Sequence, residues 1–161
     1  MRLEKEWVQV ARIEENSVTN ENDKKKEYLR GYLWHGRRIK RIEAELEEVR
    51  RIKKNPSMNI DGMPHARSQK DLSGYVAHLD ALEEKLYEEG VGQVKTYKDI
   101  SWRIGQLQNE NERDVMFYRY IKGLKFWEIA QQMGYDERQI HRFHGSALTH
   151  LDIPEDVSSC Q

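Results

Sequence analysis

Apolar residues recur at helical spacing along most of this chain. From Lys24 to Lys54, the positions Tyr28, Tyr32, His35, Ile39, Ile42, Leu46, Val49 and Lys53 advance in steps of four and three. That spacing predicts one long helix with a heptad seam. Asn55-Pro56 ends it, because the residue before a proline is pushed out of the helical conformation. A second seam runs from Asp71 to Gln108 through Leu72, Tyr75, Leu79, Leu82, Leu86, Gln93, Tyr97, Ile100, Ile104 and Leu107. Gly90-Val91-Gly92 interrupts it. Each glycine costs ~1 kcal/mol relative to alanine in a helix interior, so a kink or break is expected there. Two matched seams are most simply buried as an antiparallel hairpin, although a seam this long could also pair with a second copy. Residues 56–70, with Pro56, Gly62 and Pro64, form the connector, which is long for that task.

The pattern shortens after Asn109. Three apolar bursts follow: Val115, Met116, Tyr118 and Ile121; then Phe126, Trp127, Ile129, Ala130 and Met133; then Ile140, Phe143, Ala147, Leu148 and Leu151. Lys122-Gly123 and Gly134-Tyr135 separate them, and Asp136 is a good N-cap for the third. Helices this short must pack on one another. The last two, joined by a turn at Gly134, Tyr135 and Asp136, have the layout of a helix-turn-helix. Ala130 is small where the two helices would cross, Gly134 can take a positive φ, and Ile140 can plug the gap between helices. Glu137, Arg138, Gln139, His141 and Arg142 would then face outward. Arg reads guanine edges well and Gln reads adenine. Trp127 and Tyr118 could stack on bases, but their spacing with Ile121, Ile129 and Met133 predicts a core role.

Several words of this stretch also match a known pattern. Glu128-Ile129-Ala130 and Ala147-Leu148, within the run from Arg113 to Leu151, resemble the promoter-reading region 4 of sigma-70-type factors. More narrowly, the chain from Lys24 to Leu151 resembles the ArpU/RinA-like phage transcriptional regulators of Gram-positive bacteria. The matching words are Gly62-Met63-Pro64-His65, Gly123-Leu124, Glu128-Ile129-Ala130, Met133-Gly134-Tyr135, Arg138-Gln139-Ile140 and His144-Gly145-Ser146-Ala147-Leu148. The resemblance implies a helical N-terminal half, a region-4-like end, and activation of late phage or prophage genes. Two positions depart from the pattern. Lys125 stands where a Ser would cap the supporting helix, and Ser146 stands where the family tends to have an Arg; if that Arg contacts phosphate, this chain has one contact fewer.

Charge refines the picture. Charged residues make up 34% of the 161 positions and the formal net charge is −1, so any electrostatic footprint must be local. Between Asp23 and Lys54, 12 cations face 6 acids, a net of +6, with clusters at Lys24-Lys25-Lys26 and at Arg37, Arg38, Lys40 and Arg41. These suit a phosphate-facing or polymerase-facing surface as well as a plain solvated helix face. From Glu110 to Leu151, 6 cations balance 6 acids. One copy of such a domain should bind DNA weakly, which favours an oligomer or a polymerase partner.

Other chemistries have little to stand on. The single cysteine, Cys160, permits neither a disulfide framework nor a thiolate zinc site. His141, His144 and His150 lie near one helix without a carboxylate cluster, so no metal site is expected, and two of the three should face DNA or solvent. No phosphate loop, nucleophile elbow or acid/base pair is present. No cofactor and no enzyme activity are expected. The chain lacks an apolar run of the ~20 residues a membrane span needs and lacks a signal-peptide core, which suits the cytoplasm of a bacterial host.

The expected architecture is therefore all-α. An N-terminal extension (1–23) carries Trp7, Val8, Val10 and Ile13 and a polar linker from Asn16 to Asp23. A long, coiled-coil-like antiparallel hairpin follows (24–109), then a three-helix helix-turn-helix domain (110–151) and a tail (152–161). The expected function is sequence-specific regulation of transcription. Arg138, Gln139, His141 and Arg142 would enter the major groove of double-stranded DNA, and Lys122 and Lys125 would hold phosphates. RNA polymerase and a second copy of the chain are the further partners expected. The rival is an interaction protein whose C-terminal end docks on polymerase or a host factor.

Overall fold

A computed structural model describes residues 2–54 and 69–154, with side chains for 21–52 and 73–154. These residues are all-α: α1 (Arg2–Lys54), α2 (Gln69–Gly105), α3 (Glu110–Tyr120), α4 (Phe126–Met133) and α5 (Glu137–His150). Among the described residues, no helix is long and apolar enough to cross a membrane. The Gly62-Met63-Pro64-His65 segment and Cys160 lie outside the described residues, as do the side chains of Trp7, Val8, Val10 and Ile13.

Two expectations about the long helices need correcting. The stretch from Asn16 to Asp23, read as a linker, lies inside α1. No glycine or proline occurs between Arg2 and Arg30. Ser, Thr and Asn each disfavour a helix by only ~0.7 kcal/mol or less, and no Gly or Pro among them breaks it. The second correction concerns Gly90-Val91-Gly92, where α2 continues without a break. Gly92 uses its missing side chain for close approach: a Cβ there would sit 2.9 Å from Cε1 of His35. A Cβ on Gly36 would come within 3.1 Å of Gln93 Nε2.

The chain divides into two compact units. One comprises Trp34–Lys95. In it, Ile42, Leu46 and Leu82 form the core, with Val49, Leu79 and Leu86 packed against them. All six are seam positions of the sequence pattern. The segments run antiparallel, since Arg50 pairs with Glu83 (3.0 Å) while Arg38, earlier on α1, pairs with Glu89 further along α2 (3.2 Å). His35 Nδ1 lies 2.6 Å from Glu89. That hydrogen bond, helped by Arg38, holds the Glu89 carboxyl below the usual carboxylate range.

The other unit takes in the chain up to Leu33 and from Thr96 onward. Its main core joins Leu29 of α1, Ile100 and Ile104 of α2, Leu107, Met116 and Tyr120 of α3, and Ala147, Leu148 and Leu151. Val115, Ile129, Ala130 and Ile140 make a second cluster. The Lys25 ammonium, only 6% exposed, donates to the Leu148 carbonyl (3.0 Å) and meets Glu21 (3.0 Å). A cation there complements the C-terminal end of α5. Arg103 reaches Tyr28 Oη (2.9 Å), Asp99 (3.1 Å) and the Asp152 carbonyl (3.0 Å). The boundaries expected at 23/24 and 109/110 therefore do not match the division into units. The middle of α1, at Leu29, and the C-terminal end of α2 share a core with residues of α3 and α5.

Candidate nucleic-acid interface

Local chemistry sets each short helix. Asn109 caps α3, its side chain accepting from the Asn111 N–H (3.0 Å). At the start of α4, Lys125 has no side-chain acceptor to offer, but the Glu128 carboxylate reaches back to the Lys125 N–H (2.6 Å). That is one half of a capping box, enough to satisfy one orphan donor. Gly134 ends α4 in the left-handed conformation, φ 71°. Asp136 then caps α5 by accepting from the Arg138 N–H (2.8 Å).

Packing fixes which face of α5 looks out. Ile140 is fully buried against Val115, Ile129 and Ala130, so the residues expected at the helix crossing do meet there. Ala147 and Leu148 are buried in the main core. Glu137, Arg138, His141 and Arg142 are exposed, and Gln139 is half-buried. The Arg142 guanidinium donates to Gln139 Oε1 at 3.5 Å. His141 lies against Phe126 (ring centroids 4.2 Å apart) and 3.7 Å from Glu137. The Arg138 side chain meets no hydrogen-bond or ion-pair partner among the described residues. Lys122 and Lys125 are exposed as well, with the Lys122 ammonium 5.7 Å from the Phe117 ring centre.

Trp127 does not take the core role expected of it; it is 48% exposed. At about 100° per residue, Phe126, Ile129, Ala130 and Met133 share one face of α4, and Trp127 falls beside that face. Tyr118 does pack against the second cluster.

Several residues that the pattern did not single out tie α5 down. His144 is buried, its Nε2 hydrogen-bonded to Tyr120 Oη (2.9 Å), with the two rings stacked. Burial, with nearby Lys26, Arg119, His141 and Arg30, pushes the His144 pKa down to about 4. Burial also pushes the Tyr120 phenol up to about 12. Both groups are therefore neutral near pH 7. His141 and His150 are exposed, so two of the three histidines face outward. Buried Glu112 accepts from Ser146 Oγ (2.7 Å) and from His150 Nδ1 (3.0 Å). Position 146 thus faces Glu112 of α3. Arg119 donates to the Leu124 carbonyl (2.8 Å) and covers the Phe126 ring, and Arg113 donates to the Leu107 carbonyl (3.3 Å). Of the six cations between Glu110 and Leu151, these two hold the fold and the other four are on the surface.

Among the described residues, no three His, Cys, Asp or Glu side chains converge on a common point. What the exposed groups offer is donor chemistry, with two guanidiniums on one helix and two ammoniums before another. No family model, curated protein or solved structure matches this chain.

Proposed function

We propose that this protein is a sequence-specific regulator of transcription that binds duplex DNA. In this reading α4 and α5 are the two helices of a helix-turn-helix, following the antiparallel hairpin of α1 and α2, and α5 enters the major groove. The observation that carries it is the two-sidedness of α5. Ile140, His144, Ala147 and Leu148 are buried, while Arg138, His141 and Arg142 are exposed along its N-terminal half. That is the half a recognition helix presents to base edges. Arg138 and Arg142 would read bases, with Gln139 and His141 beside them, and Lys122 and Lys125 would neutralise phosphates. The resemblance to the ArpU/RinA-like regulators supports a role as an activator of late phage or prophage genes. The even charge of residues 110–151 supports binding as an oligomer or together with RNA polymerase.

The test is a genome-wide DNA pull-down with the tagged protein in a strain carrying its prophage, followed by gel shifts on the recovered site. A single sharp site upstream of a gene block is expected. Arg138→Ala and Arg142→Ala should each weaken binding by ~1–3 kcal/mol and relax preference at one base position. Unchanged affinity and site preference in both variants would sink the assignment.

One observation favours a second reading, in which the C-terminal helices dock on RNA polymerase. Trp127 is a large apolar side chain, half-exposed on α4, and aromatic residues are common anchors of protein interfaces. A polymerase pull-down that survives nuclease and high salt, and is lost in Trp127→Ala, would favour docking over DNA reading.

A further inference from the structure

One face of α1 lies outside the DNA-reading site and has a different character. Trp34, Arg37, Arg38 and Arg41 line an open depression on the surface. Their spacing of three and four residues puts them on one side of the helix. From Trp34 to Arg41 the chain carries four cations and no acid. Trp34 is 38% exposed. Arg38 is engaged by Glu89 (3.2 Å). Arg37, Lys40 and Arg41 are exposed and meet no carboxylate within ion-pair distance among the described residues. Nearby Arg50 and Arg51 do have partners, in Glu83 and Glu48. A second groove holds Glu45, Glu88 and Glu89 beside Arg38, Arg41 and Lys85; Trp34 and Arg37 lie outside it and Arg41 borders both, so the side toward Trp34 and Arg37 is the one open to an anion.

We infer that this face binds single-stranded nucleic acid, with Arg37 and Arg41 on the phosphodiester backbone and Trp34 as a stacking platform for a base. The guanidiniums alone would suit any polyanion. The aromatic among them selects the occupant: a duplex hides its base faces, whereas an unpaired strand offers one at every nucleotide. Arg is also the cation best matched to phosphate oxygens, through its planar fork of donors. The inference does not depend on the DNA-reading role of α5, and the two fail separately.

Fluorescence polarisation of the full chain tests it, with a labelled oligothymidylate of ~20 nucleotides, a random duplex of equal length, and polyglutamate as competitor. Trp34→Ala should weaken oligothymidylate binding about tenfold, while Trp34→Phe, which keeps a ring, should recover most of the loss. The double variant Arg37→Gln/Arg41→Gln should lower the slope of log K against log salt by about 1.4, at ~0.7 per contact on a single strand. Arg50→Gln/Arg51→Gln, whose guanidiniums are already held by Glu83 and Glu48, should leave oligothymidylate binding unchanged. Were Trp34→Ala misfolded by circular dichroism, Trp34→Phe and the arginine pair, both mild changes, would carry the test. Affinity for the oligonucleotide that is indifferent to Trp34, Arg37 and Arg41 would overturn the inference. So would a duplex bound more tightly through these same residues, or polyglutamate displacing the strand at equal charge concentration.

Discussion

The outcome at His144 depends on a competition between solvation and a hydrogen bond. Its ring is packed between Tyr120 and Phe126, and burial holds its pKa at about 4 against the ordinary 6.5. In the unfolded chain the same imidazole takes up a proton as the pH falls through 6.5, while in the folded chain it resists until about 4. The unfolded state therefore binds more protons across that window, and stability is lost as the pH drops through it. From about pH 7.5 to about pH 4.5 this group alone should remove roughly 2–3 kcal/mol, as an upper figure. His144→Gln can still accept from the Tyr120 hydroxyl but does not titrate. Urea unfolding of both proteins at the two pH values should show a shallower loss in the variant, and equal slopes would refute the buried neutral histidine. Gly134 offers a purely backbone test. Its φ is 71° and a Cβ would touch nothing within 4 Å, so Gly134→Ala should cost ~1–2 kcal/mol from conformation alone. A thermal melt without a shift would mean that the turn between α4 and α5 can be remade.

At the scale of elements, α2 contains a built-in comparison. Gly90 has open space where a Cβ would go, while Gly92 has His35 at 2.9 Å. Gly90→Ala should stabilise the protein by ~0.5–1 kcal/mol through helix propensity. Gly92→Ala should lose that gain by displacing the His35 ring from Glu89, and the Glu89 carboxyl should titrate closer to the ordinary carboxylate range when followed by NMR. Equal stabilisation by both substitutions would show that the close approach at Gly92 is unimportant. The same pair shows what the sequence made legible. Helical periodicity marked the seam residues Ile42, Leu46 and Leu82, and punctuation by Gly123, Gly134 and Asp136 marked the ends of the short helices. Propensity alone made Gly90 and Gly92 look like a break, because the ring that fills the gap sits 57 positions away at His35. Trp127 departs from its apolar pattern for a related reason. In an eight-residue helix, a single 100° step moves a side chain off the buried face, and a pattern of apolar letters does not register that step. The buried polar contacts of Glu112 with Ser146 and His150 left no signal at all, since each residue is ordinary on a solvated helix.

Across the larger unit, the helices proposed to read DNA are not built as a separable module. Their main core contains Leu29 from α1 and Ile100 and Ile104 from α2, packed with Met116, Tyr120, Ala147, Leu148 and Leu151. Lys25 of α1 also holds the Leu148 carbonyl in the last turn of α5. The sequence could not reveal this, because an apolar seam position such as Ile100 or Ile104 reads the same whether it faces another long helix or three short ones. The consequence is a prediction about a fragment. Residues 108–154 alone would expose Met116, Tyr120, Leu148 and Leu151, at ~1.5–3 kcal/mol for each large side chain. Four such losses come to roughly 6–12 kcal/mol, comparable to the whole stability of a typical domain. What would remain is the small cluster of Val115, Ile129, Ala130 and Ile140, too few residues to hold three short helices. The fragment should therefore show a collapsed amide spectrum and no cooperative melt. Adding residues 21–33 and 96–107 back, as separate peptides or through a short designed linker, should restore dispersion. Lys25→Ala in the full chain should cost ~1–3 kcal/mol by leaving the carbonyl end of α5 without its partner. A fragment that folds cooperatively alone would make the long helices mere appendages. A fragment that folds only with those segments present would make residues 21–33 of α1 part of the scaffold that holds α5 in place. Changes along α1 within that unit would then alter how firmly α5 is held without touching its exposed residues Arg138, His141 and Arg142.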